Sequence, residues 1–186
     1  MPRIPMIIAC CLFFLPPGRA AAQSRREGDF FIGYSFENSN ASVLNLNGSR
    51  PNWQGWEASL EGKLVASFGM VADFSSHYGS QTYTQTAPSP ANVNVTGRET
   101  EILFGPRVSV PLGKVQIFGE LEGGLGHVRT NTFGSDVSWA TAVGGGIDLR
   151  LATLVAWRFQ GDYVSTHVFH APQDDVRLST GIVLRF

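Results

Sequence analysis

Side chains able to do chemistry are sparse in this sequence, and the imidazoles are the first to consider. There are four, at His77, His127, His167 and His170. His167 and His170 stand close enough in sequence to share a surface metal ion. His77 directly follows Ser76 and comes shortly after Asp73, types that could supply a nucleophile, a base and an orienting acid. No spacing among them sets up that arrangement, so all four read as solvated histidines at loop edges. The expectation is a chain with no catalytic residues, no metal site and no cofactor. Gly123-Gly124-Leu125-Gly126 and Gly144-Gly145-Gly146 have the flexibility of a phosphate cradle. They fall inside extended segments with no helix start after them, so they read as bends and close packing. Asn40-Ala41-Ser42, Asn47-Gly48-Ser49 and Asn94-Val95-Thr96 match the glycosylation sequon and read as loop composition.

The beginning of the chain is a targeting pattern. Arg3 precedes an apolar stretch from Ile4 to Leu15, a Pro16-Pro17-Gly18 break, and Ala20-Ala21-Ala22. This predicts a cleaved secretory signal peptide over 1–22 and one domain over 23–186. The apolar stretch is much shorter than the roughly 20 residues of a membrane-spanning helix. Cys10 and Cys11 both lie in it, which leaves the exported part without a thiol for a disulfide, a metal or a nucleophilic attack. Losing Arg3 and Arg19 leaves 12 basic residues against 15 acidic ones, a formal charge of about −3. Nothing in that balance supports nucleic-acid binding.

The elements that position these residues follow from a period of two. In 29–37, Phe30, Ile32, Tyr34 and Phe36 share one face, while Asp29, Gly33, Ser35 and Glu37 share the other, with Phe31 as the exception. The same alternation recurs in 53–62, 68–78, 100–109, 115–127, 138–149, 155–166 and 176–186. The connections alternate in length. Those at 38–52, 79–98, 128–137 and 167–175 are long and polar, whereas those at 63–67, 110–114 and 150–154 are short. Tight turns at one rim and long loops at the other predict an all-β fold, an eight-stranded antiparallel up-and-down transmembrane β-barrel with its long loops outside.

Alternation alone does not say which face of a barrel is inside. Charge decides. The polar faces collect Glu57, Glu61, Asp73, Glu101, Arg107, Glu120, Glu122, Asp148, Arg158, Asp162, Arg177 and Arg185, too many ions for a lipid-facing wall. The apolar faces place Phe36, Tyr78, Trp139 and Tyr163 toward the outer rim, and Phe30, Phe68, Trp157 and Phe186 toward the inner one. Two aromatic girdles around an aliphatic band mark a membrane-spanning barrel. Eight strands leave room for side chains and little else, so the charges are expected to form a closed lumen network. With eight acids against four arginines in that set, some carboxylates must sit near the rims or hold a proton.

Gly55-Trp56-Glu57-Ala58-Ser59-Leu60, Val71-Ala72-Asp73-Phe74-Ser75-Ser76-His77-Tyr78-Gly79, Phe104-Gly105-Pro106-Arg107 and Leu178-Ser179-Thr180-Gly181-Ile182-Val183 carry a family likeness. The chain resembles the small eight-stranded outer-membrane barrels, the class of the transmembrane domain of outer-membrane protein A. It is similar in particular to the porin-family outer-membrane beta-barrel proteins common in acidobacterial genomes. Its last strand, with Leu178, Ile182, Leu184 and the final Phe186, resembles the signal read by the outer-membrane assembly machinery. The resemblance implies that machinery and periplasmic chaperones as transient partners. It also implies a monomer in the cell outer membrane, among outer-membrane lipid and lipopolysaccharide. The expected role is structural or surface-interacting. A narrow passive pore for small solutes and a lipid-modifying outer-membrane hydrolase are the alternatives, and a soluble lipocalin-like carrier is a further one.

Overall fold

The computed structural model describes residues 28–39, 52–85, 91–131, 134–167 and 173–186. The proposed signal peptide, 1–22, lies outside the described residues. Every regular element described is a strand: β1 (Gly28–Asn38), β2 (Asn52–Val65), β3 (Phe68–Gln85), β4 (Ala91–Leu112), β5 (Val115–Thr130), β6 (Gly134–Arg150), β7 (Val155–Thr166) and β8 (Gln173–Arg185). Each strand pairs antiparallel with its sequence neighbours, and β1 also pairs with β8, so the sheet closes into a barrel. The eight segments expected from alternation are the eight strands.

Two hairpins reach further than their sequence pattern suggested. The stretch 79–98, expected as the longest loop, is largely paired: β3 and β4 continue from Gly79↔Gly97 to Gln85↔Ala91. Thr82, Tyr83, Thr84, Val93, Val95 and Thr96 are all types that favour a pleated backbone, and polarity alone hid them. The connection expected at 128–137 is likewise mostly ladder, with Thr130 paired to Gly134 and the return made by Gly134 at a φ of 84°. At the opposite rim the turns are tight, and Gly113 takes a φ of 70° between β4 and β5.

Side-chain period fixes what faces where. Ile32, Leu60, Ile102, Phe104, Leu121, Val143 and Phe159 all stand exposed on the outside of the wall. The interior is the reverse of a soluble core. Its apolar content is two small clusters, Leu103 with Ala140, Ala142 and Val164, and Phe31 with Ala156 and Val183, besides Val71, Phe118 and Val128. Most other fully buried side chains are acids, arginines and serines. The β4–β5 ladder pairs Phe104 with Gly123 and Arg107 with Glu120, and skips the residues between without a change of register. Pro106, which has no N–H to contribute, lies in this gap. Beside it Gly105 lets the strands close up: a Cβ there would fall 2.7 Å from Glu122 Cα.

The charged lumen as candidate functional site

Arg177 on β8 is the hub of the interior. Its Nε lies 3.1 Å from Asp162 Oδ2 on β7 and 3.6 Å from Glu57 Oε2 on β2. Its Nη1 lies 3.2 Å from Asp73 Oδ1 on β3 and 3.2 Å from Glu101 Oε2 on β4. One guanidinium thus ties carboxylates from four other strands across the barrel. Neutral groups complete the arrangement. Ser75 Oγ accepts from Arg177 and donates to Glu101 at 3.1 Å each. Gln160 Nε2 donates to Glu57 at 3.1 Å and to Asp162 at 3.0 Å.

Toward the tight-turn rim the remaining arginines form a second tier. Arg158 makes a two-pronged pair with Asp148, at 2.8 and 3.1 Å, and Arg185 reaches the same carboxylate at 3.1 Å. Asp29 joins this tier through Lys63 at 3.1 Å and Arg185 at 3.8 Å. Arg107 donates to Glu120 at 2.6 Å and reaches Glu61 at 3.4 Å. Two guanidinium groups lie over the Phe118 ring, Arg107 at 4.6 Å and Arg158 at 4.4 Å from its centroid. Phe31, the exception to the alternation of its strand, faces inward beneath Arg158 at 5.1 Å.

The twelve charged residues singled out from sequence are all buried inside the barrel. Eleven enter ion pairs, while Glu122 makes none among the described residues. The aromatics assigned to girdles face outward: Phe68, Tyr78, Trp139, Trp157, Tyr163 and Phe186 are exposed, and Phe30 and Phe36 half-buried. On that outer face Trp157 Nε1 donates to Thr180 Oγ1 at 2.8 Å. Leu178, Ile182 and Leu184 of β8 also face outward. Phe186 closes the seam, exchanging backbone hydrogen bonds with Gly28 at 3.1 and 3.0 Å.

The histidine expectation needs correction. His127 and His167 are exposed, and His170 lies outside the described residues, but His77 is fully buried in the lumen. Its Nε2 shares a 2.8 Å hydrogen bond with Ser35 Oγ, and its Nδ1 stands 3.2 Å from Glu37 Oε2. The parity of β3 explains this, because His77 is in phase with the inward Asp73 and Ser75. Glu99 and Asp175 are also buried here and were passed over. Glu99 falls between the loop expected at 79–98 and the strand expected from residue 100, although it is in phase with Glu101. Asp73 and Ser76 are not assembled with His77 into a nucleophile, base and acid: Asp73 pairs with Arg177, and Ser76 Oγ meets Arg98 Nε at 3.1 Å.

No protein-family model and no curated protein matches the sequence. Solved structures do. The chain is similar to Ail, the attachment invasion locus protein of Yersinia pestis, at 14% identity over 87% of this chain and 99% of that one, with a TM-score of 0.56. It is similar to Neisserial surface protein A at 11% identity over 86% and 97%, with a TM-score of 0.66. It is similar to the outer membrane protein OprG from Pseudomonas aeruginosa at 11% identity over 87% and 97%, with a TM-score of 0.54. The chain therefore has the fold of the small eight-stranded outer-membrane β-barrels, and its relation to these proteins is one of fold.

Proposed function

We propose that the protein resides in the bacterial outer membrane as a closed barrel, exported by residues 1–22, and that it serves a structural or surface-interacting role through its outer loops. The observation that carries this reading is the Arg177 hub, which ties five strands together through the middle of the lumen. Buried charges held this way need a partner on every side, and the partners leave little space for a solute path. The exposed apolar band supports insertion in lipid, since no hydrated surface of a monomer carries such a belt. The outer-membrane proteins sharing the fold support the location. One of them, Ail, has been solved in complex with the heparin analogue sucrose octasulfate, which makes ligand capture at the loops a reasonable role for this chain too. Among the described residues Asp73 and Ser76 face partners other than His77, which favours a non-enzymatic role. The lumen residues act as a plug, the outward aromatics as interfacial girdles, and Leu178, Ile182, Leu184 and Phe186 as the assembly signal.

Two measurements test this. In planar bilayers, pure refolded protein should give no steady single-channel current, and reproducible conductance would refute the plug. In intact cells, protease sites inserted near Asn47 and Pro90 should be cut from outside while one at Lys114 is spared. The reverse pattern would refute the topology.

A further inference from the structure

At the loop end of the lumen three buried carboxylates stand together, two of which, Glu37 and Glu99, make no ion pair with an arginine among the described residues. Glu37 on β1, Glu99 on β4 and Asp175 on β8 are each about 1% exposed, and each presents a carboxylate oxygen within 4.8 Å of the other two. Arg177, the nearest guanidinium along β8, is committed to Glu57, Asp73, Glu101 and Asp162. Glu99 takes part in no ion pair among the described residues, and neither of its oxygens finds a hydrogen-bond donor there. The same holds for hydrogen bonds to both oxygens of Glu37. Asp175 is held in place by Gln173, whose Nε2 donates to its Oδ2 at 3.1 Å and to Ser39 Oγ at 2.6 Å.

A second observation points the same way. His77 is fully buried, and its Nδ1 is aimed at Glu37 Oε2 at 3.2 Å but makes no hydrogen bond. Its other nitrogen is fixed by Ser35, which is itself tied to Ser179 at 2.9 Å. A metal-bound carboxylate is commonly steadied in this way by a neighbouring side chain outside the ligand set.

We infer that Glu37, Glu99 and Asp175 form a site for one hard divalent cation of the calcium class at the loop end of the lumen, with His77 positioning Glu37. Three carboxylates excluded from water repel one another, and a single dication relieves all three at once. Oxygens on opposite sides of a calcium ion stand roughly 4.8 Å apart, twice its usual 2.3–2.6 Å bond, and the three carboxylate oxygens all lie within that reach of one another, so a single ion can bind them together. An all-oxygen donor set favours calcium, magnesium or manganese over softer metals. Magnesium usually keeps several waters and takes only one or two carboxylates, which makes it the poorer fit to a set of three. The cation would join β1, β4 and β8 above the Arg177 hub.

The test uses the refolded full barrel in detergent micelles, with metal alone as probe. Calorimetric titration with CaCl2 should give one site per chain. Glu99→Gln and Asp175→Asn should each weaken it at least tenfold, while Glu122→Gln, a buried lumen acid on β5, should leave it unchanged. Folding of each variant is read from heat-modifiable gel mobility. In the unaltered protein, substoichiometric MnCl2 should broaden the imidazole proton signals of His77 before those of exposed His127 and His167. Absence of saturable binding up to millimolar calcium overturns the inference. So does equal binding by Glu99→Gln, or broadening of the exposed histidines first, since either puts the metal on surface acids. If protons alone neutralise the cluster, Glu99→Gln will match the unaltered protein's melting temperature with and without calcium, which also overturns it.

Discussion

Replacing Arg177 by Met keeps much of the side-chain volume and removes the charge, so it isolates what the hub contributes. The native guanidinium makes charge-assisted contacts at 3.1 Å to Asp162 and at 3.2 Å to both Asp73 and Glu101. At about 1.5–3 kcal/mol for each bond to a charged group, the gross loss is roughly 5–9 kcal/mol. Proton uptake by the stranded acids and local rearrangement offset part of it, which leaves the ~3–5 kcal/mol typical of a buried pair broken from one side. Reversible urea unfolding in lipid vesicles, followed by tryptophan fluorescence, measures the difference. The sign with pH is fixed by the same reasoning. At high pH protonating the four stranded acids is costly and the penalty is largest, whereas at low pH they take up protons readily and the penalty shrinks. The Arg177→Met deficit should therefore fall steadily between pH 8 and pH 4. A double-mutant cycle with Asp162→Asn should also show strong coupling. A variant within about 1 kcal/mol of the parent at pH 8 would mean that the contacts are incidental and the hub argument wrong.

Leu121 sits mid-strand on the outer face of β5, opposite Val143, and Leu121→Arg should cost about 2–4 kcal/mol in vesicles if this face meets hydrocarbon. An unfolding free energy unchanged by that charge would place the band in water. Gly105→Ala should lower stability and slow vesicle insertion, because the new methyl meets the β5 backbone at Leu121 and Glu122. A neutral result in the same assay would show that β4 and β5 can part there freely. Thr180→Val removes the acceptor for Trp157 and the hydroxyl's own donation to Arg158 O at 3.0 Å, and should cost no more than about 3 kcal/mol while shifting Trp157 emission, since two hydrogen bonds are lost. An unshifted spectrum would argue that the bond does not form in lipid.

The wall of this barrel is legible in sequence because each strand carries a two-residue period over most of its length, and the ions mark which face turns inward. Trp56 and Glu57, or Ile102 and Glu101, leave no ambiguity about direction. What alternation does not carry is how far the hairpins rise. In 79–98 the residues are mostly uncharged and polar on both faces, so the period loses contrast although the backbone still pairs. The outer end of the lumen is hard to read for a related reason, with Glu99 falling between the expected loop and strand and His77 read as a solvated edge. The partners of Arg177 are equally out of reach, because they lie up to 120 residues away in sequence, and their meeting depends on closure and tilt. Phe118 was hidden by being an aromatic on the polar face, where Arg107 and Arg158 give it company that only the folded barrel supplies.

The seam between β1 and β8 joins residues 29–38 to residues 176–185, and Gly28 to Phe186. Its pairing spans almost the entire described chain, the longest loop the fold has to close. Every other ladder joins strands adjacent in sequence and can form locally, yet until β8 arrives both edges of the sheet present unpaired N–H and C=O groups. Arg177 and Asp175 ride on that same last strand. The hub, the seam and the outer carboxylate cluster are therefore completed in one late event, and folding should be limited by the arrival of a single strand.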